Sequence, residues 1–421
     1  MKICFVADPR FAFNQRWAEH FVNGGHEVHV ISYSAQEIPG ATLHLLGGYP
    51  SIWERELTRT IWALRGMGPR SSSTTSGVIS AVRGRAGQVK RSVRAGLYGL
   101  SCRKIISSLR PDIVHGFGMT NHAVYASSAG IQPVLAHAMG GDVLVESTNN
   151  AGGRALARYA VERAQVITSE CQTMTDALVN ILGVPQGKIR TFPWGVDLDV
   201  FLLGYETQGK SLRRQLDIAE SAPVILSQKV YAAVNNIGVL LRAVPLVLDK
   251  HPDAVFLFRR GVGSFADEAQ LKELSNTLNV AQNIRFMSKS VSREELAGIF
   301  NLADIVVSIP SSDAMAISLR EAMSCGAIPI VSDLPDNRDI VKDGKHGVIL
   351  PETTPDALAD TLNSCLHDLP NLKRHFMEIN PPYIAREHNW QDTVKTMEDL
   401  YLETVSNSVP TQRRSLSGST R

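Results

Sequence analysis

Residues 311–333 read SSDAMAISLREAMSCGAIPIVSD, and this stretch decides the fold. The run just before it, ADIVVSIP, is short, apolar and β-branched, which predicts a buried strand. AISLREAMS carries helical spacing, Gly326 stops it, and AIPIVSD reads as a second short strand. Strand, helix and strand in immediate succession make one unit of a parallel sheet. Two acids punctuate the unit. Asp313 lies in the loop leaving the first strand, and Glu321 stands eight positions later on the second turn of the helix.

The same alternation runs outward in both directions. KICFVAD and HEVHVIS flank NQRWAEHFVNGG, in which Trp17, Ala18, Phe21 and Val22 recur at helical spacing. PDIVHGFG, QPVLAHAMGGD and AQVITSE continue the series. After KIRTFPWGVDLDVF it restarts with APVILSQ, DAVFLFRRG, NIRFMS and HGVIL. A chain of 421 residues exceeds one ordinary core. The expected class is therefore α/β, with two facing Rossmann-like, doubly wound domains. Periodicity fades between residues 195 and 212, which predicts a first domain over 1–205 and a second over 206–380. A last helix over 381–405 is expected to cross back to the first domain. The polar, basic residues 406–421 predict a disordered tail, and RGMGPRSSSTTSG predicts a flexible loop.

Composition excludes several classes. Hydrophobic residues at 44% and charged residues at 20% describe a globular chain, and a formal net charge of +2 names no partner. Five scattered cysteines without CxxC spacing argue against a disulfide scaffold or a zinc site and fit a reducing compartment. Only five apolar residues lie between Lys2 and Asp8, too few for a signal-peptide core, and no run approaches the ~18 apolar residues of a membrane span. A cytoplasmic location is expected. Charge distribution is more informative. From Leu57 to Pro111 there are eleven Lys or Arg and no Asp or Glu. Val89, Val93, Leu97, Leu100 and Ile105 are interleaved with these cations. On a helix this gives either a surface-lying membrane segment at the inner face or a core-packing helix with a solvated basic face. A nucleic-acid partner is not expected, because Tyr98 alone offers no stacking platform in the helical part of this stretch.

The chemistry follows from where open parallel sheets bind ligands, at the carboxyl ends of their strands. Free N–H groups near Ala316, Ile317 and Ser318, with the helix dipole behind them, suit a phosphate. Asp313 and Glu321 lie to either side of that position, and carboxylates accept hydrogen bonds from sugar hydroxyls well. Each acid alone has an ordinary reading, as a helix cap or a solvated face residue. Together with the phosphate position they describe a nucleotide-sugar.

At this point the chain resembles family 4 glycosyltransferases of the GT-B fold. Their Glu-x7-Glu element stands here as Asp313-x7-Glu321 with EAMSCGAIPIVSD. GGHEVHVIS, RPDIVHGFG, GGDVL, GVPQGKIRTFPWGVDLDVF, NLADIVVSIPSS, NRDIVKDGKHGVIL and HNWQDTVKTMEDLY agree in order, from residue 1 to about 405. The resemblance implies transfer of a sugar from a nucleotide-sugar donor, with retention of anomeric configuration, no metal and no other cofactor. The implied acceptor is a polysaccharide or a lipid-linked glycan. By position, Glu321 would hold the donor ribose, Asp313 the sugar ring, and the amides of Ala316, Ile317 and Ser318 the phosphates. In the first domain His115, at a strand end, and Asp142, after Gly141, would face the acceptor or the transferred sugar. A satisfied core histidine and a turn residue are their ordinary readings.

Several positions depart from the family pattern. The first acid is Asp313, one methylene shorter than the usual Glu. Val230 and Asn235 fall where the family often has an Arg-x4-Lys pair for the leaving diphosphate. Lys229 is adjacent, and Arg259 and Arg260 stand where Gly-Asp is usual; these cations either supply the charge from another direction or form an exposed basic loop. Met139 replaces a family histidine, with His137 two residues earlier on the same strand face. Losing electrostatic donors to a developing leaving group typically costs roughly 10²- to 10³-fold in rate. The alternative is therefore a catalytically silent GT-B subunit that binds a nucleotide-sugar or a partner transferase; a third reading is a nucleotide-sugar epimerase on the same fold, which would share the donor cleft and need no acceptor surface.

Overall fold

The computed structural model describes residues 1–46, 95–259, 265–288, 291–314 and 316–408. The chain divides into two compact units, Met1–Phe192 together with the chain from Val394, and Pro193–Thr393. Among the described residues the first holds seven strands: β1 (Lys2–Val6), β2 (Glu27–Ser32), β3 (Thr42–Leu45), β4 (Ile113–Phe117), β5 (Val134–His137), β6 (Val166–Ser169) and β7 (Ile189–Thr191). They form one parallel sheet in the order β3-β2-β1-β4-β5-β6-β7. The second holds β8 (Val224–Ser227), β9 (Val255–Arg259), β10 (Ile284–Met287), β11 (Ile305–Ser308), β12 (Ile328–Ser332) and β13 (Val348–Leu350), in the order β10-β9-β8-β11-β12-β13. Each sheet reverses its direction of winding once, between β1 and β4 and between β8 and β11. Those switch points are where doubly wound sheets open a crevice for ligand.

The strands read as continuous apolar runs because both faces are covered. All four residues of β8 and of β11 are buried, and Ile225, Phe256, Val307 and Ile330 share one core with Leu240, Leu241 and Val244 of helix Ile237–Leu248. A half-exposed sheet would have alternated instead. All five cysteines are free and buried. Among the described residues no helix is long and apolar enough to cross a membrane.

The boundary between units differs from the sequence expectation. Periodicity fades from residue 195, yet residues 193–205 are bound to the second unit by specific contacts and belong to it. The buried Arg320 guanidinium donates to the Trp194 carbonyl, the Ser324 hydroxyl to the Phe201 carbonyl at 2.6 Å, and Arg293 pairs with Asp197 at 2.5 Å. A Cβ on Gly195 would lie 2.2 Å from the Asn389 carbonyl carbon, so only glycine fits this crossing. Irregular backbone is here a fitted strap. From Val394 the last helix, Trp390–Ser408, belongs to the first unit. Its Tyr401 ring stacks on Phe21 at 5.1 Å.

The basic stretch is described only in part. Residues 57–94, with Val89 and Val93, and the expected loop 65–77 lie outside the described residues, as do 409–421 of the expected tail. Residues 95–109 are helical, and they bury Ala95, Tyr98, Cys102 and Ile106. Leu100 points outward at 66% exposure, beside exposed Arg103 and Lys104. The core-facing stripe is therefore not the one through Leu97, Leu100 and Ile105.

Candidate functional site

In the second unit three loops meet at the carboxyl ends of β8, β9 and β11. They are tied to one another by hydrogen bonds. The Asn236 side-chain amide donates to the Ile309 carbonyl at 2.9 Å, and the Ser311 amide to the Val234 carbonyl at 2.8 Å. The Tyr231 hydroxyl donates to the Phe258 carbonyl at 2.8 Å. Asn236 holds a left-handed φ of +52°, a conformation that Asn tolerates better than most residues.

Asp313 projects from the β11 loop and does not cap the helix. Its carboxylate accepts from the Ala314 amide at 2.9 Å and forms an ion pair with Lys229, just past β8. Both side chains are largely covered. Helix Ile317–Ser324 starts at Ala316 with no side-chain cap, which leaves its first amides and positive dipole end to a ligand or to water. Ile317, Ser318 and Glu321 are partly exposed on this helix.

Arg259 is the last residue of β9. Burial pushes its guanidinium below the ordinary value, and the Glu321 carboxylate pulls it back up. Its Nε has no hydrogen-bond partner among the described residues. Arg260 lies outside them. The two positions that lack the usual cations are joined to each other, because the Asn235 amide donates to the Val230 carbonyl at 2.8 Å. A cavity of about 560 Å³ opens against the same loop, between Tyr231, Asn236, Arg242 and Leu271. None of Lys229, Arg259, Asp313 or Glu321 lines it.

The first unit treats its polar residues differently. His115 is the third of five residues in β4 with no exposed surface, which corrects the expectation of a strand-end position. Its Nδ1 shares a 2.5 Å hydrogen bond with the Tyr401 hydroxyl, and burial with the nearby His137 ring holds it well below the ordinary histidine value. His137 closes β5, fully buried, with Nδ1 2.7 Å from the Thr168 hydroxyl and Nε2 3.6 Å from the Glu170 carboxylate. Asp142 accepts backbone N–H groups from Met119 at 2.6 Å, Met139 at 3.1 Å and Val143 at 2.9 Å. Burial pushes its carboxyl up against those three donors. Asp142 thus joins the loops after β4 and β5. At the β1 switch point Asp8 is buried and held by the half-exposed Arg10 at 2.6 Å.

Two residues escaped sequence reasoning. Glu170 beside His137 stands in an unremarkable SEC run, and only the strand alignment of β5 with β6 brings it there. Arg320 precedes Glu321, and nothing in the helical pattern marks its complete burial. Of the residues singled out in the sequence, the second unit brings together Asp313, Lys229, Ala316, Ile317, Ser318, Glu321 and Arg259. Paired acids, cations and an uncapped helix start can take an anion on one side and hydroxyls on the other.

Comparisons with known proteins point the same way. The family Glycosyltransferase Family 4 matches residues 13–200, and Glycosyl transferases group 1 matches residues 209–380. A D-inositol 3-phosphate glycosyltransferase of Corynebacterium jeikeium is 30% identical over 220 residues, 51% of this chain and 52% of that protein. Its counterpart in Corynebacterium urealyticum is 28% identical over 225 residues, 52% of each. The matching part spans about half the length of these curated relatives. Among solved structures, sucrose-phosphate synthase from Thermosynechococcus elongatus superposes with a TM-score of 0.73 at 14% identity, over 97% of this chain and 100% of that one. An Anabaena protein solved with UDP-glucose gives 0.70 at 14% identity, over 97% and 100%. At such identities the likeness speaks for the fold.

Proposed function

Because this chain belongs to the family 4, group 1 glycosyltransferases and carries their GT-B fold of two Rossmann-like domains, we propose that it transfers a sugar from a nucleotide-sugar donor to a glycan or lipid-linked acceptor. The observation that carries this reading is the cluster of Lys229, Arg259, Asp313 and Glu321 around the uncapped start of helix Ile317–Ser324. In this reading the amides of Ala316, Ile317 and Ser318 cradle the diphosphate. Glu321 accepts from the ribose hydroxyls and Asp313 from the sugar. As the bond from sugar to diphosphate breaks, negative charge grows on the leaving group, and Lys229 and Arg259 with the helix dipole meet it there. These charges are fixed before reaction, so little reorganisation opposes the step. No metal is required for it, and the configuration at the transferred carbon is retained.

Asp142 and His137 enter through the first unit, where they shape the loops after β4 and β5 around the acceptor. His115 acts behind them through its contact with Tyr401. The exposed Leu100, Arg103 and Lys104 fit contact with an anionic membrane face, where each cation contributes about 1 kcal/mol. The names of the curated relatives add a small phosphorylated polyol as a further acceptor to try.

A second reading is favoured by the pairing of Lys229 with Asp313 and of Asn235 with Val230. It is a silent subunit that binds a nucleotide-sugar or a partner transferase without turnover. Release of nucleoside diphosphate from a panel of nucleotide-sugars separates the two. The panel is run alone, with anionic liposomes carrying native lipid extract, and with D-inositol 3-phosphate. Release from one donor, raised by one acceptor and lost in Glu321→Ala, is expected. Silence across the panel from folded protein would favour the subunit.

A further inference from the structure

The Lys229–Asp313 ion pair lies across the switch point of the second sheet. Lys229 leaves β8 and Asp313 leaves β11, the two neighbouring strands between which the winding reverses. Parallel neighbours lie ~4.8 Å apart, so the pair bridges the lips of the crevice that a ligand would enter. With side chains only 13% and 22% exposed, it is no freely solvated surface pair. Its loops are held independently, by the bonds from Asn236 to Ile309 and from Ser311 to Val234. Among the described residues of the loops after β8, β9 and β11, Lys229 and Arg259 are the cations. Each faces one acid, Asp313 and Glu321 respectively.

We propose that the Lys229–Asp313 pair masks the donor site and is opened by exchange: the diphosphate takes Lys229, and the carboxylate so released takes the hydroxyls of the sugar. This rests on the donor reading given above. The exchange replaces one anion at Lys229 by another, so the ammonium is never left unpaired in a covered position. Asp313 is different. A complete donor supplies it with hydroxyl partners, whereas a nucleoside diphosphate without sugar leaves it uncompensated. The mask therefore discriminates for the donor and against the spent nucleotide, which favours product release.

The test is calorimetric titration of the full chain with a panel of nucleoside diphosphates and with the matching nucleotide-sugars. Asp313→Asn removes the competing charge and is expected to bind the nucleoside diphosphate about tenfold more tightly, the weight of one charge-assisted hydrogen bond. The nucleotide-sugar gains less, so the ratio of the two affinities narrows. Lys229→Met weakens both ligands about tenfold, and Asp313→Asn added to it brings no tightening, because the pair is already broken. Asp313→Ala serves as a second variant if the amide disturbs the loop. Wild-type binding that Asp313→Asn and Asp313→Ala leave unchanged or weaken would overturn the mask while the donor reading stands. Tightening that persists in the Lys229→Met background would also overturn it. Absence of binding in wild type and in both Asp313 variants would overturn the donor reading as well.

Discussion

The two sheets share a strand order and use the carboxyl ends of their strands in opposite ways. In the first unit the polar groups there bond to the fold itself. His137, at the end of β5, bonds to Thr168 and faces Glu170, Asp142 accepts three backbone N–H groups, and behind them, in the middle of β4, His115 bonds to Tyr401. In the second unit they are charged, partly exposed and gathered around a helix start with no cap. Topology places a crevice in both. The residues decide which crevice has its acid and histidines tied into the fold and which offers charge to a ligand.

That contrast is tested most severely at Asp142. If its carboxylate is structural, Asp142→Ala leaves three N–H groups without their acceptor and lowers stability by about 3 kcal/mol or more, read by denaturant unfolding. A loss below about 0.5 kcal/mol would move Asp142 out of the structural class. Tyr401→Phe should cost about 1–3 kcal/mol, since it strands the buried His115 Nδ1.

Acid should act through buried neutral histidines in both units. His388 in the second unit is pushed down to about 3 by burial, with Arg320 adding to the effect, and its ring nitrogens have no hydrogen-bond partner among the described residues. His115 is lowered in the same direction. For such a group the unfolded chain takes a proton near 6.5 and the folded one does not, so stability is full above that pH and falls as pH drops toward 3. The loss is about 1.4 kcal/mol per pH unit for each histidine. His388→Phe should therefore match wild type at pH 7.5 and exceed it by about 2 kcal/mol at pH 5.0. Parallel pH profiles for the two proteins would contradict this. Glu321→Ala should leave the chain folded, read by denaturant unfolding, while abolishing nucleoside diphosphate binding.

Sequence reasoning reached the second unit further than the first. ADIVVSIP, AISLREAMS and AIPIVSD announce their elements because buried parallel strands are apolar throughout and Gly326 can hold the left-handed φ of +84° that ends the helix. Asp313 and Glu321 were visible because a loop leaving a strand and entering a helix is a local pattern, and Lys229 only through the resemblance, beside the Val230 that replaces a family cation. The pairing of Lys229 with Asp313 was not, since it joins residues 84 apart across a strand register. The strand-end reading of His115 missed by two residues, because PDIVHGFG does not show where its strand stops. The boundary was expected at 205 rather than 192 because the order of the strap over 193–205 comes from Arg320, Ser324 and Asn389, all distant in the chain.

The most direct measurement is amide hydrogen exchange of the full chain with and without a nucleoside diphosphate from the panel that binds. The account predicts slowed exchange in peptides covering 227–236 and 309–325, with 113–147 of the first unit unchanged. Protection in 113–147 with none around Lys229 and Asp313 would contradict it.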